Sequence, residues 1–452
     1  MLNRAIGMNR RLVIIMFLLL LAGCSPRNPY NRSYVADKVR QQQQYEINQE
    51  KKAGKFDVPP GVVLSDGVTE DEAVTVALWN NAQYQADLVG LQFAQADLTD
   101  AGIIQNPLVR YLSPNGGIVA QGYIYFYLDA IWQRPNRVAA AKRDAHRVAE
   151  NTIQRTFTLI RDVQNAYADL VLARKKATIL QQNAQIRFQI SALAHSRLRN
   201  GDISELEATT ARVDSVNAAD NFLRAALDTT VMRARFNTLL GIRADTLIPL
   251  QSNKAISWQA LDKKQIQELT YSFQPELAGA TAAMEAAGKR IGWERSRIIT
   301  LTGVLNGQNF AGTSSEKNAF PGTFDLGLQT EIPIFNRNQG RIARAKAELQ
   351  QAALNYVAIR QRIDLDLTES YARYEMAWRS YQLWNSNVLP PLEQAVKLSS
   401  NSYQTGDVSY LPVLEATRQM LDARVRQAEV EAELRKAVSQ LNFRIGKKVI
   451  NP

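Results

Sequence analysis

Gly201-Asp202-Ile203-Ser204-Glu205-Leu206 returns later in the chain as Gly406-Asp407-Val408-Ser409-Tyr410-Leu411. At the same offset of 205 residues, Ala211 falls on Ala416, Ala218 on Ala423, Asn237 on Asn442 and Gly241 on Gly446, with no gap. Upstream, Arg137-Val138-Ala139-Ala140-Ala141-Lys142 matches Arg341-Ile342-Ala343-Arg344-Ala345-Lys346 at nearly the same offset. The chain therefore reads as two copies of one unit of about 200 residues, repeat 1 over 69–250 and repeat 2 over 251–452.

Working outward from the Gly-Asp turn, each copy has the same order of elements. Helices are predicted over roughly 70–105 and 260–297, where Val74, Leu78, Leu88 and Leu91 recur at helical spacing. β-Hairpins follow over 107–131 and 298–334. Tyr123-Ile124-Tyr125-Phe126-Tyr127-Leu128 is strongly β-prone, and Phe324, Leu326 and Leu328 alternate with Asp325, Gly327 and Gln329. Leu108–Leu112 and Ile299–Leu305 are the partner strands, and Tyr123, Tyr125, Tyr127 and Trp132 read as barrel and girdle residues. A long helix comes next, about 137–199 and 341–404, roughly 90–95 Å at ~1.5 Å per residue. After the Gly turn, a shorter helix spans about 205–240 and 411–444. The two short helices of a copy together match its long one. The expected form is a rod of helices with all hairpins at one end and both Gly-Asp turns at the other. Pro390-Pro391 interrupts the second long helix and reads as a packing kink or as a hinge.

The N-terminus is an address. Arg4, Arg10 and Arg11 precede an apolar stretch from Leu12 to Leu21, too short to span a bilayer. Leu21-Ala22-Gly23-Cys24 resembles a bacterial lipobox, so residues 1–23 are read as a lipoprotein signal peptide and Cys24 as the lipid attachment site. That resemblance further implies outer-membrane sorting, because Ser25 rather than Asp follows the cysteine. Residues 24–68, with Pro26, Pro29, Pro59, Pro60 and the run Gln41-Gln42-Gln43-Gln44, read as an extended, lipidated tether. The 452 residues include 54 Lys+Arg and 43 Asp+Glu, a formal charge of +11. No basic cluster is interleaved with aromatics, which argues against nucleic acid. Cys24 is the lone cysteine, His146 and His195 are the only histidines, and no familiar catalytic or phosphate-binding motif occurs. No enzyme activity, cofactor or metal site is expected.

Four strands cannot close a transmembrane barrel, and an unclosed sheet edge in lipid is not viable. Strands that enter a membrane must then share one barrel between chains, and three chains give twelve strands, wide enough for a pore. Here the residues carry a resemblance. Glu331-Ile332-Pro333-Ile334-Phe335-Asn336-Arg337-Asn338-Gln339-Gly340-Arg341, Gly406–Ala416 and Asn106-Pro107 together resemble the TolC-type outer-membrane efflux family, over about 65–450. Asn336–Gly340 is most similar to the members that serve heavy-metal and RND-type pumps. Pro333, Phe335 and Gly340 mark the family's strand-to-helix motif. The resemblance implies a mainly α chain with a small membrane β part. It implies a TolC-like homotrimer, whose twelve-stranded β-barrel (four strands per chain) continues into a long periplasmic α-helical barrel. It also implies a passive duct for substrates from an inner-membrane pump, delivered through a periplasmic adaptor (membrane fusion protein). A lipid-anchored coiled-coil adaptor or scaffold is the alternative, and the paired hairpins argue against it.

Gly201 and Gly406 suit helix-ending turns with φ > 0, and Asp202/Asp407 or Ser204/Ser409 would cap the next helix. The resemblance makes these six residues the adaptor-docking tip. It places Glu415 where the family has an acidic periplasmic gate, with Asp407 as the other candidate. Pro412 stands where a second acid is often found.

Overall fold

The computed structural model describes residues 26–47, 54–113, 120–251, 262–308, 323–405 and 408–450. Cys24, Gly406 and Asp407 lie outside the described residues. The chain divides into two compact units, each described by itself. One contains the described residues up to Tyr34 with Val89–Asn151 and Glu276–Ile359; the other contains Val35–Leu88, Thr152–Pro275 and Arg360 onward.

The helices are α1 (Arg32–Gln43), α2 (Glu70–Asn80), α3 (Ala82–Gly102), α4 (Ala130–Asn200), α5 (Glu205–Leu240), α6 (Lys263–Phe273), α7 (Pro275–Ser296), α8 (Gln339–Gln382), α9 (Leu389–Thr405) and α10 (Tyr410–Ile445). The strands are β1 (Leu108–Leu112), β2 (Gln121–Tyr127), β3 (Thr302–Gln308) and β4 (Thr323–Gln329). The two expected hairpins join into one antiparallel sheet in the order β1-β2-β3-β4. Among the described residues no helix is long and apolar enough to cross a membrane.

Four local expectations are corrected. Part of the extended tether is helical: α1 buries Val35, Val39, Gln42 and Gln43, because apolar residues four apart outweigh the glutamine-rich composition. Each first helix is broken. Asn81 and Gln274 both take an extended backbone, dividing α2 from α3 and α6 from α7. Asn81 Nδ2 then donates to the Leu239 carbonyl. The first long helix starts at Ala130, seven residues before the expected start, with Pro135 inside it. The second long helix passes through a π-helical turn, Leu383–Val388, where the Leu389 N–H reaches the Trp384 carbonyl. Proline at 390 and 391 cannot donate and its ring crowds the carbonyl four residues back; widening one turn absorbs both defects without ending the helix.

In the second unit, Tyr167 and Phe236 are fully buried and meet edge to face at 5.9 Å. Tyr374, Leu434, Leu441 and Ile445 belong to a second buried cluster.

Candidate functional site

The sheet has two chemically opposite faces. Pairing puts Val109, Ile124, Leu305 and Leu326 in one row, with Phe126, Gly303 and Leu328 in the next on the same face. The other face carries the row Arg110, Tyr123, Asn306, Asp325, flanked by Gln121, Gln308, Thr302 and Gln329. Leu108, Leu112 and Val304 are its apolar exceptions. Leu326 and Leu328 are 83% and 71% exposed, an apolar surface that only lipid or another apolar partner can cover. The side chain of Phe324 lies outside what is described. Tyr123, Tyr125 and Tyr127 lie on the polar face, where Tyr123 and Tyr125 stack at 6.1 Å. β1 and β4 are each paired on one side only among the described residues, which leaves both edges open to another strand.

The tip builds from helix-end rules. Gly201 has φ +81° and its N–H reaches the Leu198 carbonyl, while the Asp202 N–H reaches Arg197. This pair of bonds closes α4 in a Schellman turn. Ser204, and not Asp202, caps α5, since its hydroxyl accepts from the Glu207 N–H at 3.2 Å. Ser409 takes the N-cap position of α10 without a side-chain cap bond. Beneath the turns, Ala194, Ala211, Tyr403 and Val413 form a small buried cluster, with Arg197 stacked over Tyr403 at 4.7 Å. Pro412 sits in the first turn of α10, where a missing N–H costs nothing.

Glu415 is half-exposed on α10. It accepts from Gln419 Nε2 at 2.8 Å and pairs with Arg418 at 3.1 Å. Those two partners, Gln419 first, hold its carboxyl below the usual range, so Glu415 is anionic at neutral pH.

In the strand-to-helix segment, Phe335 is 91% exposed. A Cβ at Gly340 would stand in open space, with no atom within 4 Å, and the residue has no positive φ. Neither close packing nor backbone strain therefore requires its glycine. The residue that shapes the turn is Asn338, at φ +56°. Its Nδ2 donates to the Glu294 carbonyl and carboxylate at 2.7 and 2.8 Å, and its own carbonyl accepts from Ile342 N–H to start α8.

Residues 269–447 match the family described as "Outer membrane efflux protein". Over that stretch the chain resembles the outer membrane efflux proteins. It is 24% identical over 386 residues to the cobalt-zinc-cadmium resistance protein CzcC of Cupriavidus metallidurans, covering 84% of this chain and 90% of that protein. Among solved structures, it resembles the CusC channel with a TM-score of 0.70 at 20% identity, covering 94% of this chain and 99% of that one. It resembles the Neisseria gonorrhoeae MtrE outer membrane channel in its open state with a TM-score of 0.69 at 16% identity, covering 90% and 98%. The fold is therefore that of the TolC-type channels.

Two features of this chain escaped sequence reasoning. Gly446 has φ +79°, and a Cβ there would stand 2.6 Å from the Phe273 carbonyl oxygen; Gly241, at φ +72°, meets the Asn80 carbonyl in the same way. The repeat alignment pairs these glycines, which was the available signal, but only the packing shows what they do. The other feature is a clasp on the N-terminal segment. Tyr34 Oη donates to Glu150, which is 2% exposed, at 2.5 Å. His146 Nε2 lies 3.3 Å from the same carboxylate, and Tyr30 stacks on the imidazole at 4.2 Å. Burial, and then the Glu150 carboxylate, push the Tyr34 phenol well above its ordinary pKa. Among the described residues no group of three or more His, Cys, Asp and Glu side chains could hold a metal.

Proposed function

We propose that this chain is the outer-membrane channel component of a tripartite efflux system, a passive exit duct fed by an inner-membrane pump through a periplasmic adaptor. The observation that carries the reading is the sheet: one face apolar, one polar, and both edges open. Such a sheet satisfies its backbone in lipid only by pairing with further copies. Three copies give twelve strands with the polar faces around a water-filled lumen. A homotrimer is also favoured by α5, whose Leu206, Val213, Val216, Leu223, Leu227 and Val231 are exposed at helical spacing.

The remaining assignments extend this reading. Cys24 carries the lipid that anchors the chain to the outer membrane, and the helices extend into the periplasm. The turns at Gly201–Ser204 and Gly406–Ser409 form the tip that meets the adaptor. Glu415, or Asp407, lines the periplasmic gate. The pump is of the RND type, as for the heavy-metal members that Asn336–Gly340 resembles, and it selects the cargo. The duct itself catalyses nothing.

The test is oligomer mass and conductance. Full-length protein extracted from outer membranes should run as three chains in detergent and open water-filled channels in planar bilayers. A monomer without conductance would overturn the proposal.

A further inference from the structure

The geometry points to a second contact with lipid, below the strands: an apolar belt that sits in the periplasmic leaflet of the outer membrane, ringed by arginines that meet its anionic phosphates. This inference rests on the reading of the sheet as a membrane barrel.

On the side that joins the helices, strand pairing stops at Leu108, Tyr127, Thr302 and Gln329. The exposed apolar side chains do not stop there. Ile103 and Ile104 precede β1, Ile131 follows β2, Ile299 precedes β3, and Ile332 and Phe335 follow β4. Their exposures are 55%, 44%, 68%, 56%, 76% and 91%. All four strands therefore continue, at the same end, into uncovered apolar residues. Scattered surface isoleucines need no explanation, but one at the same end of every strand does.

Charge follows the same order. Arg134 lies just beyond Ile131, Arg295 just before Ile299, and Arg337 and Arg341 beyond Phe335, each on the helix side of its apolar neighbour. Apolar residues backed by guanidinium groups suit the boundary between acyl chains and phosphate headgroups.

The N-terminal segment gives an independent mark of depth. Pro26 packs on Gly102 so closely that a Cβ there would lie 2.5 Å from the proline Cδ, and Arg134 Nε donates to the Gly102 carbonyl at 2.7 Å. Gly102 is the residue before Ile103. Cys24 is only two residues from Pro26, so acyl chains attached there would enter the bilayer at the level of the belt. A second copy of the chain could also cover apolar residues, but it would not explain why the lipid-bearing end of the chain is held at this height.

The test uses spin labels on Ile104→Cys, Ile131→Cys, Ile299→Cys and Phe335→Cys, one at a time. The full-length protein is reconstituted in vesicles of phosphatidylethanolamine and phosphatidylglycerol, with Asp245→Cys as a reference on an exposed connection. Each label's collision rate with oxygen, which partitions into lipid, is divided by that with a water-soluble nickel chelate. The belt predicts ratios at least fivefold above the reference at all four sites. Ratios equal to the reference would overturn it, as would labels shielded from both reagents, which would mean that another copy covers these residues. Oligomer mass and conductance are measured on the same samples. Trimeric, conducting channels with reference-like ratios would sink the belt alone, whereas monomers would sink the barrel on which it rests.

Discussion

At the scale of single residues, the glycines separate into those that the fold needs and those that it does not. Gly446 combines a positive φ with a carbonyl in the space where a Cβ would stand. Gly446→Ala should cost about 1–3 kcal/mol from backbone strain alone, with the clash in addition. Gly340→Ala lies in a helix with open space around it and should be neutral or stabilising by up to about 1 kcal/mol. Denaturant midpoints of the two variants decide this. A Gly446→Ala protein as stable as Gly340→Ala would refute the packing argument. Glu415 is a residue-scale case of charge. Its carboxyl is held below the usual range by Gln419 and Arg418, so the anion is present at neutral pH and is lost only as the pH falls through that lowered value. If Glu415 lines the gate, cation preference in bilayers should survive mild acidification and fade under stronger acid, and Glu415→Gln should reduce it at pH 7. Equal ion preference in wild type and Glu415→Gln would leave Glu415 as a solvated helix residue. Gly201, Ser204 and Pro412 were legible as helix-end chemistry because those rules are local. The Tyr34–Glu150 contact spans 116 residues and left no local mark.

At the scale of elements, the sheet decides its own orientation by alternation. Leu326 and Asp325 are neighbours in sequence and lie on opposite faces. Leu326→Arg should block membrane insertion, at ~2–4 kcal/mol near the midplane. Gln329→Arg, on the polar face, should insert normally. The yield of heat-modifiable trimers in outer-membrane fractions measures both, and equal yields would mean that the faces are reversed or that the strands are not in lipid. Periodicity of two was readable for β4, where leucine alternates with polar residues. It was not readable for β2, where Ile124 and Phe126 alternate with tyrosines, since tyrosine is at home on either face. The break at Gln274 had a local signal in Pro275, which disfavours a helical backbone at the residue before it. The break at Asn81 had no such signal, and there the Asn81 side chain reaches the distant Leu239 carbonyl. The clasp on the N-terminal segment makes a further prediction. Tyr34→Phe leaves the buried Glu150 carboxylate without its phenol donor, a loss of about 1–3 kcal/mol. The segment before Tyr34 should become cleavable by added protease while the rest of the chain stays resistant. Unchanged protection would show that apolar packing alone holds it.

At the scale of the whole molecule, Cys24→Ser should abolish acylation, read as the mass of the N-terminal peptide, without changing trimer yield or conductance. An unchanged mass would remove the anchor from the proposal. What the sequence by itself determined is the order of parts among the described residues: helix, strand pair, long helix and shorter helix, and then the same order again. These are written in periodicity, turn residues and a repeated motif, all of which act over a few residues. Only the tertiary structure decided that the two hairpins share one sheet, that the tyrosines take its polar face, that α1 buries Val35 and Val39, and that Gly241 and Gly446 must lack a side chain. Each of these depends on which distant surfaces meet. The energy of such a meeting comes from burial, hydrogen bonds and steric exclusion between residues far apart in the chain, and no local pattern encodes it.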